Sequence, residues 1–273
     1  MSSEAVIDYY TRDILQEWKR LSKDPYHKLE FETTMHYLKK YLPGTGLLLD
    51  AGGGPGRYTI ALTRQGYEMV LLDLTPANLK FAQGKIKRAR VMKKVHELVQ
   101  GSIVDLSNFP DGSFDAVLCL GGTLSHVLSL DERQKAVSEL IRVARPNAPL
   151  FVSVIGRLAT LVSELTLFPH EIELPLFPRL RDSGDYDGTL GFTACHFFLP
   201  EELEGLFAEQ PVEKLHMVGL EGLSSNHRHE LNKVSKNPAQ WKIWLETHFL
   251  TCTHHAVVGL SPHILFVGRK HIQ

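Results

Sequence analysis

The chain has 273 residues, 43% of them apolar and 22% charged, with a formal net charge of -1. This length and composition indicate one large globular α/β domain, or one domain with a cap, and no repeat or low-complexity tract is present. The near-neutral charge argues against broad attraction to nucleic acid or anionic lipid. No apolar run approaches the length of a membrane span, and the start, MSSE, has no signal-peptide pattern.

The cysteines and histidines show no metal-binding or disulfide motif. Because the cysteines lack paired spacing, a reduced, cytoplasmic setting is the simpler expectation. The C-terminal histidines also lack the spacing of a structural zinc site, so we expect no metal. These residues are Cys119, Cys195, Cys252, His227, His229, His254, His255 and His263.

Residues 4–41 have a helical pattern. Ile7, Tyr10, Ile14 and Trp18 recur at helical spacing, and Pro25 separates this segment from a second helix that ends near Tyr41. The aromatic residues suit a core-facing stripe, and they also suit a lid over a bound ligand.

A strand, a tight glycine turn and a helix follow one another at residues 47–65. The turn reads D-x-G-x-G-x-G from Asp50 to Gly56. The dinucleotide pattern G-x-G-x-x-G fails because Arg57 stands where its last glycine would be. Glycines allow a ligand to approach the main chain, and the helix N-terminus favours an anionic group. A turn that merely joins strand to helix is the alternative.

Asp73 ends the second predicted strand, Met69–Asp73, 17 residues after Gly56. A carboxylate at this place can accept hydrogen bonds from both hydroxyls of a ribose. A surface aspartate without a ligand is the alternative. Leu74, beside it, is expected to lie against a nucleobase.

The rest of the chain alternates strands and helices. The predicted strands are Val95–Gln100, Ser113–Leu120, Leu150–Ile155, Val212–Leu220 and His263–Gly268. Thr75-Pro76 begins a helix whose basic side chains suit a solvated face. Asp131 is expected to cap the helix that runs to Ala144. Residues 156–198 have no regular pattern, which suits a lid over a substrate pocket and equally a packed decoration.

Several of these stretches resemble the class I S-adenosylmethionine (SAM) dependent methyltransferases, and most closely the small-molecule type related to quinone-biosynthesis methyltransferases. The resemblance covers about residues 45–156 and the C-terminus. The stretches that show it are the glycine turn, Asp73, the stretch DGSFDAVLCLGG, the turn Arg145-Pro146-Asn147 and the C-terminal stretch SPHILFVGRK.

The resemblance implies an α/β, Rossmann-like fold. Its seven-stranded, mostly parallel sheet has the order 3-2-1-4-5-7-6 with the last strand antiparallel, helices on both faces and an added helical cap. We expect residues 1–43 to form the cap. Residues 44–273 would form the SAM-binding domain, with an insertion or lid at about 157–199.

The resemblance also implies the cofactor, SAM, and its product, S-adenosylhomocysteine (SAH). Ser102 stands where the family often has the aspartate that binds adenine, so Asp105 is a second candidate for that contact. The residues expected to bind the cofactor are Asp50, Gly52, Gly54, Gly56, Asp73, Leu74, Ser102, Ile103 and Leu120.

The implied reaction is direct, in-line transfer of the methyl group to an oxygen, nitrogen or carbon of a small molecule. His126 and Tyr10 are the candidates for a general base; a packed His126 that caps the following segment is the alternative. Tyr9, Trp18 and Tyr186 are expected to contact the substrate. The chain lacks the Asn/Asp-Pro-Pro-aromatic and proline-cysteine motifs of enzymes that methylate nucleobases.

Two other functions are compatible with such a sheet. A SAM-binding protein without catalysis is one, and nothing in the sequence excludes it. A nicotinamide-dependent dehydrogenase is the other, although the glycine spacing argues against it. We expect a monomer or a homodimer.

Overall fold

The computed structural model describes residues 2–271, with side chains from Glu4 onward. Met1 belongs to the predicted cap and to the start inspected for a signal peptide, and Ile272 and Gln273 end the predicted C-terminal domain. All three lie outside the described residues.

Seven strands form one sheet in the order β3-β2-β1-β4-β5-β9-β8. The last strand, β9, pairs antiparallel with both of its neighbours. Since β8 and β9 are the sixth and seventh strands of this sheet along the chain, the predicted order 3-2-1-4-5-7-6 is confirmed. The strands are β1 Leu47–Ala51, β2 Glu68–Asp73, β3 Val95–Gln100, β4 Ala116–Cys119, β5 Pro149–Ile155, β8 Val212–Gly219 and β9 His263–Lys270.

The sheet is buried on both faces because its central strands are continuous apolar runs. Successive residues of a strand point to opposite faces. Leu48 accordingly packs in the cluster on one face, and Leu49 packs in the cluster on the other. The two hydrophobic cores of the domain therefore lie above and below β1.

Helices cover both faces of the sheet, and we call the three helices that lie within residues 2–41 the cap. The segment predicted as one helix up to Pro25 is two helices that meet at Asp13, and Pro25 is the first residue of the third. The helices are α1 Ser2–Arg12, α2 Ile14–Arg20, α3 Pro25–Tyr41, α4 Arg57–Arg64, α5 Pro76–Ala89, α6 Leu130–Val143, α9 Pro200–Gly205, α10 Arg228–Val234, α11 Pro238–Thr251 and α12 His255–Val258.

Two element boundaries differ from the sequence prediction. Ser129, and not Asp131, caps α6, because its hydroxyl accepts a hydrogen bond from the Glu132 N–H at 3.2 Å. β4 begins at Ala116, after the predicted Ser113, because the Asp115 carboxylate itself accepts from the Leu47 N–H at 2.8 Å.

The insertion predicted to be irregular is mostly helical. It contains α7 Arg157–Leu167, α8 Phe177–Ser183 and a short hairpin of β6 Asp185–Tyr186 and β7 Cys195–His196. Arg157 is buried and donates to the carbonyls of Phe197, at 3.1 Å, and Ser183, at 2.7 Å. The sequence pattern missed these helices because they are short and bury few residues each. Whether the insertion is a lid stays a prediction.

Two further expectations bear on the whole molecule. In residues 2–271 no helix combines the length and apolar character that crossing a bilayer requires. All three cysteines are buried and unpaired, in line with their unpaired spacing in the sequence.

Candidate active site

A cavity of about 380 Å³ lies at the carboxyl ends of β1, β2 and β4, with α1 and α2 on its other side. Parallel α/β sheets bind their ligands at this edge. Most of the residues predicted to bind the cofactor or to act as the base line this one cavity: Asp50, Gly52, Gly54, Asp73, Leu74, Ser102, Ile103, Leu120, Tyr10 and His126.

The main-chain N–H groups of the glycine loop are already hydrogen-bonded within the protein. The N–H groups of Gly52 and Gly53 donate to the Leu72 carbonyl, at 2.7 and 3.1 Å. The Gly54 N–H donates to Asp73 Oδ2 at 2.8 Å. The N–H groups of Gly52, Gly53 and Gly54 are therefore not free to bind a ligand.

The Asp50 side chain lies under the glycine loop and stabilises it. Its Oδ2 accepts from both the N–H and the hydroxyl of Thr59, at 3.1 and 2.6 Å, so Asp50 fixes the first turn of α4 to the end of β1. Burial raises its pKa to about 6. A Cβ at Gly53 would lie 2.7 Å from the Asp50 carboxyl carbon, which explains glycine at that position.

Gly56 is the N-cap of α4 and packs away from the cavity. A Cβ there would lie 3.2 Å from Ala82 Cβ and 3.3 Å from Leu71 Cδ1. Its function in the structure is close packing of α4 on β2 and α5, and it does not line the cavity.

Asp73 ties the glycine loop to the start of α5. Besides the Gly54 N–H, its carboxylate accepts from the Thr75 N–H at 2.8 Å and Asn78 Nδ2 at 3.1 Å. Burial raises its pKa, against the effect of these hydrogen bonds. Asn78 is buried, lines the cavity and keeps its Oδ1 without a partner. The sequence reasoning missed Asn78, although it lies in the first turn of α5, the helix that follows Asp73.

The loop after β3 borders the other end of the cavity. Ser102 accepts from the Val104 N–H at 3.2 Å, and the exposed Asp105 accepts from the Ser107 N–H at 3.1 Å. Ile103 is buried between them. Both candidates for the adenine contact are therefore present, and the structure does not choose between them.

Tyr10 and His126 form a hydrogen-bonded pair at the cavity, with Tyr10 Oη 2.8 Å from His126 Nε2. The other ring nitrogen, Nδ1, lies 3.2 Å from the Ala194 carbonyl, which is only an acceptor. Nδ1 must therefore carry the proton, and Nε2 accepts the proton of the Tyr10 hydroxyl. Burial lowers the pKa of His126 and raises that of Tyr10, so both groups are held neutral.

The three residues predicted to contact the substrate lie outside this cavity. Trp18 is packed under cations, with the Arg57 guanidinium and Lys85 Nζ each 4.4 Å from its ring centroid. Tyr186 is buried in the insertion and bonds the Leu190 main chain. Tyr9 lies on a different face of α1 from Tyr10 and lines a neighbouring cleft.

Arg20 and its ion-pair partner Glu17 line the cavity from α2, and the sequence reasoning missed both. The Arg20 guanidinium bonds Glu17, at 3.1 Å, and Glu30. A Cβ at Gly121 would lie 3.5 Å from Arg20 Nη2, so the group reaches the end of β4. No sequence pattern near Arg20 marks this role, because it depends on how the cap packs on the sheet.

Behind Arg20, a buried ion-pair network joins the cap to the last strand. His263 Nδ1 lies 2.7 Å from Glu221 Oε1 and 3.4 Å from Glu30 Oε2. Ligand atoms of these three residues lie within 4.8 Å of one another, a spacing that a metal ion also needs. We interpret the group as ion pairs because Arg20 and His263 already bond both carboxylates.

This network predicts that part of the protein's stability depends on His263 being protonated. Burial by itself lowers the pKa of His263, but Glu30 and Glu221 outweigh burial and the repulsion from Arg20, so the pKa is raised. A raised pKa stabilises the fold fully below the unfolded value of about 6.5, and this contribution disappears as pH rises through the folded value. We expect the free energy of unfolding to fall over that range in the wild type, and not in His263→Gln.

Denaturant titrations at a series of pH values measure this difference, with the exposed His229→Gln as the matched control. Equal pH dependence in the wild type and His263→Gln above pH 6.5 would show that the pair with Glu221 is not charged.

The chain is similar in sequence and in fold to known methyltransferases. Residues 49–152 match the family model described as a methyltransferase domain. The chain is 28% identical over 144 residues to a glycine/sarcosine N-methyltransferase of Parasynechococcus marenigrum, a match that covers 52% of this chain and 49% of that protein. It is 32% identical over 108 residues to norajmaline N-methyltransferase of Rauvolfia serpentina, covering 38% and 34%.

Among solved structures, a SAM-dependent methyltransferase from Methanosarcina mazei has a TM-score of 0.60 at 20% identity, covering 87% of this chain and 98% of that one. At this identity the likeness shows the fold alone. The chain spans about half the length, or less, of the two curated relatives. Residues 49–152 thus match a methyltransferase domain, and the fold is like that of SAM-dependent methyltransferases. The likeness to the quinone-biosynthesis subgroup stays a prediction.

Proposed function

We propose that this chain is an enzyme that transfers a methyl group from SAM to a small-molecule acceptor and releases SAH. The observation that carries the proposal is a single cavity with two features. Asp73, a carboxylate placed to bind a ribose, lies at the glycine loop, and the hydrogen-bonded pair of Tyr10 and His126, the candidate general bases, lies on the cavity wall. The two curated relatives are both named as N-methyltransferases, which supports a nitrogen acceptor.

The residues present fit this cofactor. A Cβ at Gly54 would meet only Asn78 Nδ2, at 4.0 Å, so the loop leaves open space where a ligand must approach closely. An ionised carboxylate has about four acceptor sites, and Asp73 uses three of them. Asp73 would accept one ribose hydroxyl and the unpartnered Asn78 Oδ1 the other.

The ends of the cofactor would be held by different groups. Arg20 is our candidate for the carboxylate of the amino-acid tail, because its Nε and Nη1 bond Glu17 and Glu30 and its Nη2 has no hydrogen-bond partner among the described residues. Leu74 and Ile103 supply apolar surface for the adenine, with Ser102 or Asp105 as its polar contact.

When bound, SAM supplies a methyl carbon that the positive charge on sulfur has already activated. The protein's own residues orient the reactants, exclude water and move one proton. Tyr10 Oη would take a proton from the acceptor while its own proton passes to His126 Nε2. The Ala194 carbonyl keeps His126 in the tautomer that this relay needs.

The cofactor assignment is tested by Asp73→Ala. Losing hydrogen bonds to a charged group costs about 1.5–3 kcal/mol, so we expect SAM and SAH affinity, measured by calorimetry, to fall by that amount. Asp111→Ala, which removes an exposed carboxylate from the turn before β4, is the control and should bind normally. Unchanged affinity in Asp73→Ala would remove the ribose assignment.

The same titration separates the competing functions. Binding of NADH without binding of SAM would favour a dehydrogenase, which neither the glycine spacing nor the family match supports. Binding of SAM without transfer to any acceptor would favour a SAM-binding protein without catalysis.

A further inference from the structure

A second cavity, of about 450 Å³, lies between α1 and the hairpin of the insertion. It opens to solvent, and its lining includes Ala5, Asp8, Tyr9, Arg12, Asp187 and Phe192. We call it the cap cleft. None of the cofactor contacts proposed above uses it.

One layer of aromatic rings separates the cap cleft from the cofactor cavity. Tyr10 and His126 line the cofactor cavity, whereas Tyr9 and Phe192 line the cap cleft. Ring centroids are 5.3 Å apart for Tyr9 and Phe192, 5.4 Å for Tyr10 and His126, and 5.7 Å for His126 and Phe192. Tyr10 and His126, the proposed general bases, therefore lie between the two cavities.

The size of the cofactor cavity favours a second compartment for the acceptor. Cavities that hold one drug-sized ligand span about 300–1,000 Å³. SAM is itself a ligand of that size, and the cavity of about 380 Å³ is near the lower end of the range. An acceptor of any bulk must therefore keep most of its atoms outside the cofactor cavity.

We propose that the cap cleft binds the methyl acceptor and that the acceptor is an amine that carries a positive charge. This proposal rests on the proposed function. Asp8 and Asp187 supply carboxylates for a cationic group, and the rings of Tyr9 and Phe192 supply faces that attract cations. Arg12 faces the same cleft and suits an anionic tail.

The chemistry at the aromatic layer balances. The charged amine first loses one N–H proton, which passes to Tyr10 Oη as the phenol proton passes to His126 Nε2. The lone pair freed in this way forms the N–C bond, the C–S bond of the donor breaks, and sulfur keeps its electron pair. The positive charge of the sulfonium moves to the methylated nitrogen, and the charge that the amine lost moves to His126.

The hairpin segment at Phe192–Ala194 is placed to admit the amine. Phe192 closes the layer, and the Ala194 carbonyl holds His126. Between them, the buried Thr193 hydroxyl has no hydrogen-bond partner, so the closed arrangement leaves one polar group unsatisfied. A movement of Phe192 and Thr193 that leaves the Ala194 carbonyl on His126 would open the layer and expose that hydroxyl to water.

The test fills the cleft and leaves the cofactor cavity alone. Ala5→Trp places a large side chain in the cap cleft, and Gln16→Trp places the same side chain on the exposed face of α2. The probe is a protein-free small-molecule extract supplied with methyl-¹³C SAM, and SAH affinity is measured by calorimetry. We expect Ala5→Trp to lose label transfer while SAH binding persists, and Gln16→Trp to match the wild type.

Two further measurements keep the test decisive. Capping the amines of the extract with N-hydroxysuccinimidyl acetate should abolish transfer by the wild type. Asp8→Asn, which leaves the cleft open, should raise the half-saturating extract concentration without changing SAH affinity. If Ala5→Trp does not fold, Asp8→Asn alone tests whether the cap cleft binds the acceptor.

Equal transfer by Ala5→Trp and Gln16→Trp overturns the cap cleft as the acceptor site. Undiminished transfer from the amine-capped extract overturns the amine. Failure of the wild type to bind SAH overturns the proposed function itself. Normal SAH binding with no transfer from the untreated extract overturns catalysis, and this proposal with it.

Discussion

Replacing His126 with asparagine is expected to lower the rate of methyl transfer about 10²–10⁴-fold, the usual contribution of a general base, with SAH affinity unchanged. The reason is the geometry of the pair: Nδ1 is held by the Ala194 carbonyl, and Nε2 is the only ring nitrogen left to take a proton. Initial rates with labelled SAM, together with calorimetry for SAH, measure the two quantities separately.

The pH dependence supplies an independent check on His126. Its pKa is lowered by burial, so the base is neutral at pH 7. The wild-type rate should fall only as pH drops below about 6.5, when Nε2 becomes protonated. A rate that is flat down to the limit of folding would exclude His126 as the base.

Tyr10→Phe is the matched variant, since it removes only the hydroxyl and keeps the ring contacts with Tyr9 and His126. A loss similar to that of His126→Asn supports a relay through both groups. Normal rates in both variants, with normal thermal stability, would leave the pair a packing feature, as the sequence alone also allowed.

Gly54→Val is expected to abolish measurable SAM and SAH binding while the protein still folds. A Cβ at Gly54 enters open cavity space, because its nearest neighbour is Asn78 Nδ2 at 4.0 Å. The branched side chain would therefore occupy the volume that the ligand needs. Calorimetry for SAH and circular dichroism for the fold measure the result.

The control for Gly54→Val must carry the same backbone strain without touching the ligand. Gly112 meets this condition, since its φ is +61° against +53° for Gly54, and its nearest neighbour is Arg145 Cα at 3.9 Å. A left-handed conformation costs an ordinary residue about 1–2 kcal/mol. Gly112→Val should lose stability and keep SAH binding. Retained binding in Gly54→Val would mean that the ligand does not approach this loop.

The part of the site that the sequence predicted is local or follows from parallel strands. The glycine loop stands between β1 and α4, and Asp73 ends the neighbouring strand, so both must meet at one edge of the sheet. The same logic located the loop after β3. It did not reveal that the loop N–H groups bond Leu72 and Asp73, because that depends on the detailed path of the turn.

The positions of the aromatic residues in the site could not be predicted from their spacing in the sequence. Tyr9 and Tyr10 are adjacent in α1, and successive helical residues are about 100° apart around the axis. Tyr10 therefore lines the cofactor cavity, and Tyr9 lines the cap cleft. Trp18 and Tyr186 pack elsewhere, since spacing alone does not say which element a helix face will meet.

By itself the sequence determined most of the strands, the glycine loop and the acid beside it, because apolar runs, turn residues and caps act over a few positions. The strand order came from the resemblance to a known family. Tertiary structure alone decided which side chains complete the site. Tyr10 and His126 are 116 positions apart, and Arg20 is held by Glu30 within a network that ends at His263. These contacts arise when the cap packs on the finished sheet, and no short-range pattern encodes that packing.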